Sequence, residues 1–163
     1  MNDSDIKLRP EKSSDVPFLR KLFATTRVDV TFSGLPEEQK QQFIRMQFDA
    51  QRRAYHSNYE NASFHIIERH GRPIGRLYVA RLPSEIRVID ITLIPAHRSK
   101  GIGSSLLRSI QAEGRTMGLP VTLHAEKMGN MAAYYRKLGF EVVEEKEAHV
   151  FMKWTGSSSV IIT

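Results

Sequence analysis

Alternating apolar and polar residues along the chain predict a set of short strands separated by turns. Residues 5–9 alternate so that one face is apolar, as in a half-buried strand. Residues 63–69 and 74–81 are rich in residues that favour strands, and the turn at 70–73 contains glycine and proline, which predicts a hairpin. Together with residues 86–93, these segments predict an antiparallel meander. Further strands are predicted at residues 121–125, 141–146 and 149–153.

Helical spacing of apolar residues occurs twice before the meander. A first helix is predicted from Ser13 or Ser14, as candidate N-caps, to about Thr25. A bend or loop follows, because the next residues are β-branched and a glycine comes soon after. A second helix is predicted over residues 36–55, where a proline and two glutamates form a typical helix entry. Its polar residues are expected either on a solvated surface or in the wall of a substrate pocket: Gln47, Gln51, Arg52, Tyr55 and His56.

Two more helices follow the meander. One opens at Ser104 and ends before Gly118, and a shorter one is capped by Asn130. Because a helix links the last meander strand to the strand at 121–125, these two strands should be parallel. The pattern therefore predicts an α/β fold, α+β by some schemes, with a mixed, mostly antiparallel sheet. A central parallel strand pair lies within this predicted sheet, and helices flank it.

Length and composition predict one globular domain over residues 1–154, followed by a C-terminal tail at 155–163. Hydrophobic residues make up 40% and charged residues 26% of the chain, which is typical of a globular protein. The chain has no cysteine, so disulfides and thiolate metal sites are excluded. There is no run of apolar residues long enough to span a bilayer, and the acidic N-terminus does not resemble a secretory signal. A cytoplasmic location is expected.

The charge is positive, with 24 lysines and arginines against 18 aspartates and glutamates, a net +6. The basic residues are spread along the chain rather than grouped in blocks. This distribution suits a small polyanionic ligand at least as well as nucleic acid, and no nucleic-acid partner is expected. The histidines at 65, 70 and 97 do not have the spacing of a metal site, so no metal is expected.

The most informative stretch of the sequence is residues 90–106. An apolar strand ends at Pro95, a basic turn with two glycines follows, and a helix opens at Ser104. Backbone N–H groups at a helix start suit an anion, and glycines let a phosphate approach closely. The stretch lacks the third glycine of a dinucleotide fingerprint and the Gly-Lys-Ser/Thr of a P-loop. It indicates either another kind of phosphate loop or a plain turn between a strand and a helix.

Two motifs in this chain resemble the GNAT superfamily of N-acetyltransferases. The first is ITLIPAHRSKGIG at residues 91–103, which contains Arg-x-x-Gly-x-Gly after a strand that ends in proline. The second is NMAAYYRKLGF at residues 130–140, which is similar to the Asn…Tyr-x-x-x-Gly-Phe element of that family. The predicted order of strands and helices over residues 5–154 is also similar to the GNAT fold.

The resemblance implies that the chain binds acetyl-coenzyme A. Strand backbone would pair with the pantetheine amides, and one N–H there would polarise the acetyl carbonyl. Loop N–H groups would hold the pyrophosphate, with added charge from Arg98 or Lys100, and Asn130 would reach the pantetheine. The implied cofactor-binding residues are Ile91, Thr92, Leu93, Arg98, Ser99, Lys100, Gly101, Ile102, Gly103, Ser104 and Asn130.

The resemblance also implies catalytic residues. Tyr135 matches the tyrosine that protonates the departing thiolate in many relatives, and Tyr134 is the alternative. Neighbouring helical positions point about 100° apart, so at most one of the two faces the thiol. An amine must lose a proton before attack, and Asp90 and His124 are the candidate bases, with a water chain as a third route. Asp90 could instead pair with Arg87 or a loop amide, and the histidine could be structural.

The expected activity is transfer of an acetyl group from acetyl-coenzyme A to a primary amine. The transfer would be direct, through a tetrahedral intermediate in a ternary complex, because the chain has neither a cysteine nor a Gly-x-Ser-x-Gly elbow. The alternatives are a coenzyme A-binding regulatory module with little catalysis and a nucleic-acid-binding protein. The acceptor would be set by residues 27–60 and by turns near Pro83 and His149. The resemblance also raises the option of a homodimer.

Overall fold

The computed structural model describes residues 5–156, which form two compact units. The first unit comprises residues up to 78 together with 90–100, and the second comprises 79–89 together with the residues from 101 onward. The predicted tail lies outside the described residues from position 157. The elements before the meander are β1 (Ile6–Pro10), α1 (Val16–Ala24), α2 (Val28–Thr31) and α3 (Glu37–Asn58).

The meander strands are β2 (Ser63–Arg69), β3 (Arg72–Arg81) and β4 (Ile86–Leu93), and the last two contribute residues to both units. The remaining elements all belong to the second unit. They are α4 (Ile102–Met117), β5 (Val121–Glu126), α5 (Met131–Lys137), β6 (Glu141–Glu145) and β7 (His149–Trp154).

The strands form a seven-stranded mixed sheet in the order β1-β2-β3-β4-β5-β7-β6. β1 pairs with β2 antiparallel, and β7 pairs antiparallel with both β5 and β6. β4 and β5 are parallel, with Ile86 opposite Val121 and Arg87 opposite Thr122. The predicted fold class, including the parallel pair around a helical crossover, is confirmed.

The first unit packs α1 and α3 against β2 through Leu19, Phe23, Phe48 and Ile66. Phe48 is buried because it lies one helical turn after the partly buried Ile44, on the face of α3 that meets this cluster. Phe43 and Met46 lie off this stripe and remain 45% and 69% exposed. The amphipathic pattern of α3 is therefore narrower than its apolar composition suggests.

The only tryptophan of the chain, Trp154, is buried in the second unit at the end of β7. The side chain is 8% exposed, and the guanidinium of Arg115 lies 5.2 Å from its ring centroid. Gly139 has a φ of +97°, and a Cβ there would lie only 3.0 Å from the indole. A glycine is therefore required both for the turn after α5 and for the approach of the indole.

Three local predictions differ from the structure. Ser13 and Ser14 are not N-caps, because residues Ser13–Asp15 form a 3-10 turn in which Asp15 accepts a 2.8 Å hydrogen bond from the Lys12 N–H. The guanidinium of Arg9 also binds Asp15, at 2.8 and 2.9 Å, and this lowers the pKa of the carboxyl. The ion pair with Arg9 therefore stabilises the position of Asp15 in this turn.

The other two differences concern an additional short helix and the start of α5. The predicted bend after α1 contains the short helix α2, whose Thr31 hydroxyl donates to the Arg27 carbonyl. Asn130 occupies the N-cap position of α5, but its side chain makes no capping hydrogen bond. The predicted capping role of Asn130 is therefore wrong, although the helix begins where the sequence indicates.

Candidate active site

Strand β4 is held closely against β3 where the two pass Gly75. A Cβ at Gly75 would collide with the carbonyl oxygen of Thr92 and lie 2.9 Å from the Leu93 side chain. After the strand ends, the Ile94 N–H donates to the carbonyl of Ile74 at 2.8 Å. The segment predicted to pair with pantetheine, Ile91 to Leu93, thus packs closely against β3, because Gly75 has no side chain at this point of contact.

The turn after β4 is fixed by Arg98. Its Nε donates to the Leu93 carbonyl at 2.8 Å, and its Nη2 donates to the Thr25 hydroxyl at 3.0 Å. Ser99 then adopts a φ of +61°, which is uncommon for a residue with a side chain. Arg98 therefore shapes the turn through hydrogen bonds within the protein, while Lys100 is exposed.

Helix α4 starts without a side-chain cap. Gly101 is the N-cap residue, with a φ of +84° and no atom within 4 Å of where its Cβ would lie. The first hydrogen bond of the helix is donated by the Ser105 N–H to the Gly101 carbonyl at 3.0 Å. The N–H groups of the first turn precede this bond, so they point out of the helix toward any ligand at its start.

The two tyrosines of α5 lie in different surroundings. The Tyr134 hydroxyl is 2.8 Å from the Ser104 hydroxyl and 3.4 Å from where a Cβ of Gly103 would lie. Tyr135 is 6% exposed and packs edge-on against Phe140, with 5.9 Å between ring centroids. Tyr134 therefore contacts the first turn of α4, whereas Tyr135 contributes to the interior of the second unit.

Asp90 is the centre of a buried polar cluster in the first unit. Its Oδ2 accepts hydrogen bonds from Arg76 at 2.8 Å and from the Tyr55 hydroxyl at 3.0 Å, and its Oδ1 accepts one from Thr92 at 2.6 Å. Burial, followed by the charge of Asp90, raises the pKa of Tyr55, which keeps the phenol protonated as a donor. The alternative pairing of Asp90 with Arg87 is wrong, because Arg87 binds Glu85 and Thr122 in the second unit.

A second cluster surrounds Glu11, whose side chain is 5% exposed. The Tyr78 hydroxyl donates to Glu11, Arg52 lies 3.1 Å from it and His56 lies 3.4 Å from it. Gln51 accepts a 2.8 Å hydrogen bond from Arg76. Polar residues of α3 therefore bind partners on β3, β4 and the turn after β1, and of these residues His56 remains exposed.

His124 lies on β5 in the second unit and is exposed. Its ring centroid is 4.9 Å from that of Phe151, and the Arg87 guanidinium lies over the Phe151 ring, 5.1 Å from its centroid. Burial, followed by the charges of Arg87, Lys146 and His149, lowers the pKa of His124, with Glu144 acting in the opposite direction. The imidazole is therefore neutral at pH 7 and able to accept a proton.

Comparison with known proteins decides the family. The sequence model described as Acetyltransferase (GNAT) family matches residues 30–140, which is more than half of the chain. The chain belongs to this family. The predicted enzyme class, an acyltransferase of GNAT type, is thereby confirmed.

Solved structures agree on the fold of this GNAT acetyltransferase. The PaiA N-acetyltransferase from Thermoplasma acidophilum, in complex with coenzyme A, has a TM-score of 0.68 and 18% identity, over 92% of this chain and 98% of that one. A GCN5-related N-acetyltransferase from Rhodopseudomonas palustris has a TM-score of 0.66 and 20% identity, over 95% and 98%. A GNAT family acetyltransferase from Elizabethkingia anophelis, with acetyl-CoA bound, has a TM-score of 0.58 and 12% identity, over 93% of this chain and 98% of that one. No curated protein matches the sequence.

Two further observations on this GNAT acetyltransferase concern metal binding and membrane helices. Across residues 5–156, no group of three or more metal-ligating side chains could hold an ion. Within the same residues, none of the helices has the length and hydropathy needed to cross a membrane.

Sequence reasoning missed Arg76, Tyr78 and Glu11 as members of the polar clusters. A signal was present in Arg76, because a charged residue inside the apolar strand β3 must be exposed or paired. Its partner could not be read from the sequence, since Asp90 belongs to another strand.

Proposed function

We propose that this GNAT acetyltransferase transfers an acetyl group from acetyl-coenzyme A to a primary amine, directly and within a ternary complex. The observation that carries the proposal is the first turn of α4, which begins after Gly101, contains Gly103 and has no side-chain cap. This turn lies inside the region that the family model matches. The PaiA and Elizabethkingia structures, with coenzyme A and acetyl-CoA bound, support the choice of donor.

The turn fits a pyrophosphate for chemical reasons. A helix N-terminus without a side-chain cap offers N–H donors and a favourable dipole to an anion, and at Gly101 the space around the backbone is open. Ser99 to Ser104 would bind the pyrophosphate through these N–H groups, with charge from Lys100. Ile91 to Leu93 would bind the pantetheine through backbone groups, and Asn130 would add an amide. Acetyl-coenzyme A, when bound, supplies an activated thioester.

Proton transfers would be performed by side chains of this chain. We assign Tyr135 as the group that protonates the leaving thiolate, with Tyr134 as the alternative, because the motif position supports the first and the contact with Ser104 supports the second. His124 is the favoured base, because its neutral imidazole has a free lone pair at pH 7. Asp90 already accepts three hydrogen bonds, which favours a positioning role for its carboxylate.

The proposal is tested by thiol release from acetyl-coenzyme A across a panel of amines and peptides, with Gly103→Glu as the key variant. A glutamate at this position places a negative charge and a bulky side chain in the first turn of α4, beside Tyr134. We expect at least about a hundredfold weaker cofactor binding, which corresponds to about 3 kcal/mol. Calorimetric titration with coenzyme A measures it.

Ser109→Glu is the matched control, since it adds the same charge to an exposed position of the same helix. It should bind coenzyme A as the parent does. If Gly103→Glu also binds normally, the phosphate-loop assignment is wrong. Cofactor binding without turnover of any amine would instead support a regulatory module.

Cellular location and assembly belong to the same proposal. We propose the cytoplasm, with which the absence of cysteine from the sequence is compatible. The homodimer stays a prediction that sedimentation of the purified chain tests.

A further inference from the structure

A basic cleft lies in the first unit, where the turn between β2 and β3 meets the turn after β4. Its volume is about 510 Å³, and it takes in the tip of the hairpin. The residues that line it, called the basic cleft below, are Arg69, His70, Arg72, Ile74 and His97.

The strand pattern accounts for this grouping. Arg72 and Ile74 are two residues apart on β3, so their side chains point to one face of the sheet. Ile74 is 3% exposed and forms an apolar floor. The bond from the Ile94 N–H to the Ile74 carbonyl holds the end of β4 beside β3, and His97 then comes within 3.4 Å of Arg69, measured from Nδ1 to Nη1. The cleft is thus built by the end of β2, the start of β3 and the turn after β4.

The positive charge of the cleft is poorly balanced. The Arg69 Nε is buried and has no hydrogen-bond partner among the described residues. Glu68, the nearest acid in the sequence, is bound by Arg9 at 2.7 Å. Asp5 lies 3.7 Å from His70 at the rim. Two guanidinium groups therefore share the cleft with little opposing charge.

His97, one of the two histidines that line the cleft, is also affected by its surroundings. Burial, followed by the charges of Arg69 and Lys100, lowers the pKa of His97. A neutral His97 can accept the hydrogen bond from Arg69 and adds no third full charge.

We propose that the basic cleft binds the phosphate group of a phosphorylated small molecule. Arginine guanidinium groups bind phosphate through paired, charge-assisted hydrogen bonds, and both Arg69 and Arg72 line the cleft. The volume of about 510 Å³ lies within the roughly 300–1,000 Å³ typical of small-ligand pockets. The phosphate could belong to a separate ligand or be the phosphomonoester of coenzyme A, and the experiment separates these sources.

The first measurement is calorimetric titration of the full chain with inorganic phosphate at constant ionic strength. Arg69→Gln and Arg72→Gln should each weaken phosphate binding at least about tenfold, as expected for loss of a charge-assisted hydrogen bond. Arg72 is exposed, so its substitution keeps the test valid if Arg69→Gln fails to fold. The control is Arg53→Gln, which removes the same charge from an exposed position on α3 and should leave the affinity within about twofold.

The second measurement compares coenzyme A with 3′-dephospho-coenzyme A. If Arg72→Gln removes a preference of the parent for coenzyme A, the phosphate in the cleft is that of the cofactor. If phosphate affinity falls while this preference is unchanged, the cleft serves a separate phosphorylated ligand. Absence of saturable phosphate binding, or equal loss in Arg53→Gln, overturns the proposal. The phosphate titration does not depend on acetyl transfer, so its outcome is independent of the proposed function.

Discussion

At the scale of single residues, the ion pair of Arg76 and Asp90 differs from that of Arg81 and Glu113 by its burial. The two side chains are 4% and 11% exposed, whereas those of Arg81 and Glu113 are 43% and 31% exposed. Breaking a buried pair by removing one partner leaves an uncompensated charge and costs about 3–5 kcal/mol, while an exposed pair contributes about 0–1 kcal/mol. Arg76 and Asp90 therefore stabilise the first unit together rather than singly.

Asp90→Asn should accordingly lower the free energy of unfolding by about 3 kcal/mol, because Arg76 keeps its charge and loses its counter-ion. Glu113→Gln, the exposed counterpart, should lower it by less than about 1 kcal/mol. Denaturation of both variants by urea measures the difference. Equal losses in the two variants would mean that Arg76 finds another partner.

His124 permits a prediction about pH. Its pKa lies below the ordinary 6.5, so turnover should rise with pH through that lowered pKa and then become level, as the neutral base is formed. His124→Gln should lose this rise and about a hundredfold in rate. His149→Gln should keep the rise and move it upward, because His149 lowers the pKa of His124. A pH–rate profile that His124→Gln leaves unchanged would exclude His124 as the base.

The same lowered pKa affects stability. Below pH 6.5 the unfolded chain takes up a proton on this histidine before the folded chain does. The contribution of His124 to stability is therefore present above pH 6.5 and is lost as the pH falls.

At the scale of elements, the approach of β3 to β4 depends on Gly75. Gly75→Ala should displace Thr92 and Leu93, because a Cβ would collide with the Thr92 carbonyl and lie 3.1 Å from the Leu93 Cα. We expect a loss of about 1–3 kcal/mol in stability, as for other overpacked sites, and weaker binding of coenzyme A in calorimetry.

Gly34→Ala is the control for Gly75→Ala. Gly34 has a φ of +83° and open space around it, so alanine there adds backbone strain of about 1–2 kcal/mol without crowding a strand. Its cofactor affinity should equal that of the parent. If both variants lose affinity together, general destabilisation rather than displacement of β4 is the cause.

The elements also show how far the sequence leads. Alternation and turn residues predict all three meander strands, and the predicted helix end at Gly118 is confirmed because only local chemistry decides it. The partners of buried charges were not predicted, since Tyr78 meets Glu11 across 67 positions of the chain. The predicted cap at Ser13 is wrong, because the pairing of β1 with β2 places Arg9 against Asp15, and the carboxylate of Asp15 accepts the Lys12 N–H in this turn.

At the scale of the whole molecule, the net charge of +6 conceals extensive pairing. Arg9, Arg52, Arg76, Arg81 and Arg87 all lie in ion pairs with carboxylates. The basic cleft and the exposed Lys100 offer positive charge to a ligand in the first unit. The distribution supports small anionic ligands rather than a long polyanion.

The buried position of Trp154 has an optical consequence. As the only tryptophan, it makes the tryptophan fluorescence of the chain a report on the second unit alone, whereas circular dichroism follows helices of both units. If residues 1–154 fold as the single domain predicted from the sequence, the two signals will disappear at the same denaturant concentration. Emission from this indole therefore provides a label-free measure of whether the molecule unfolds in one step.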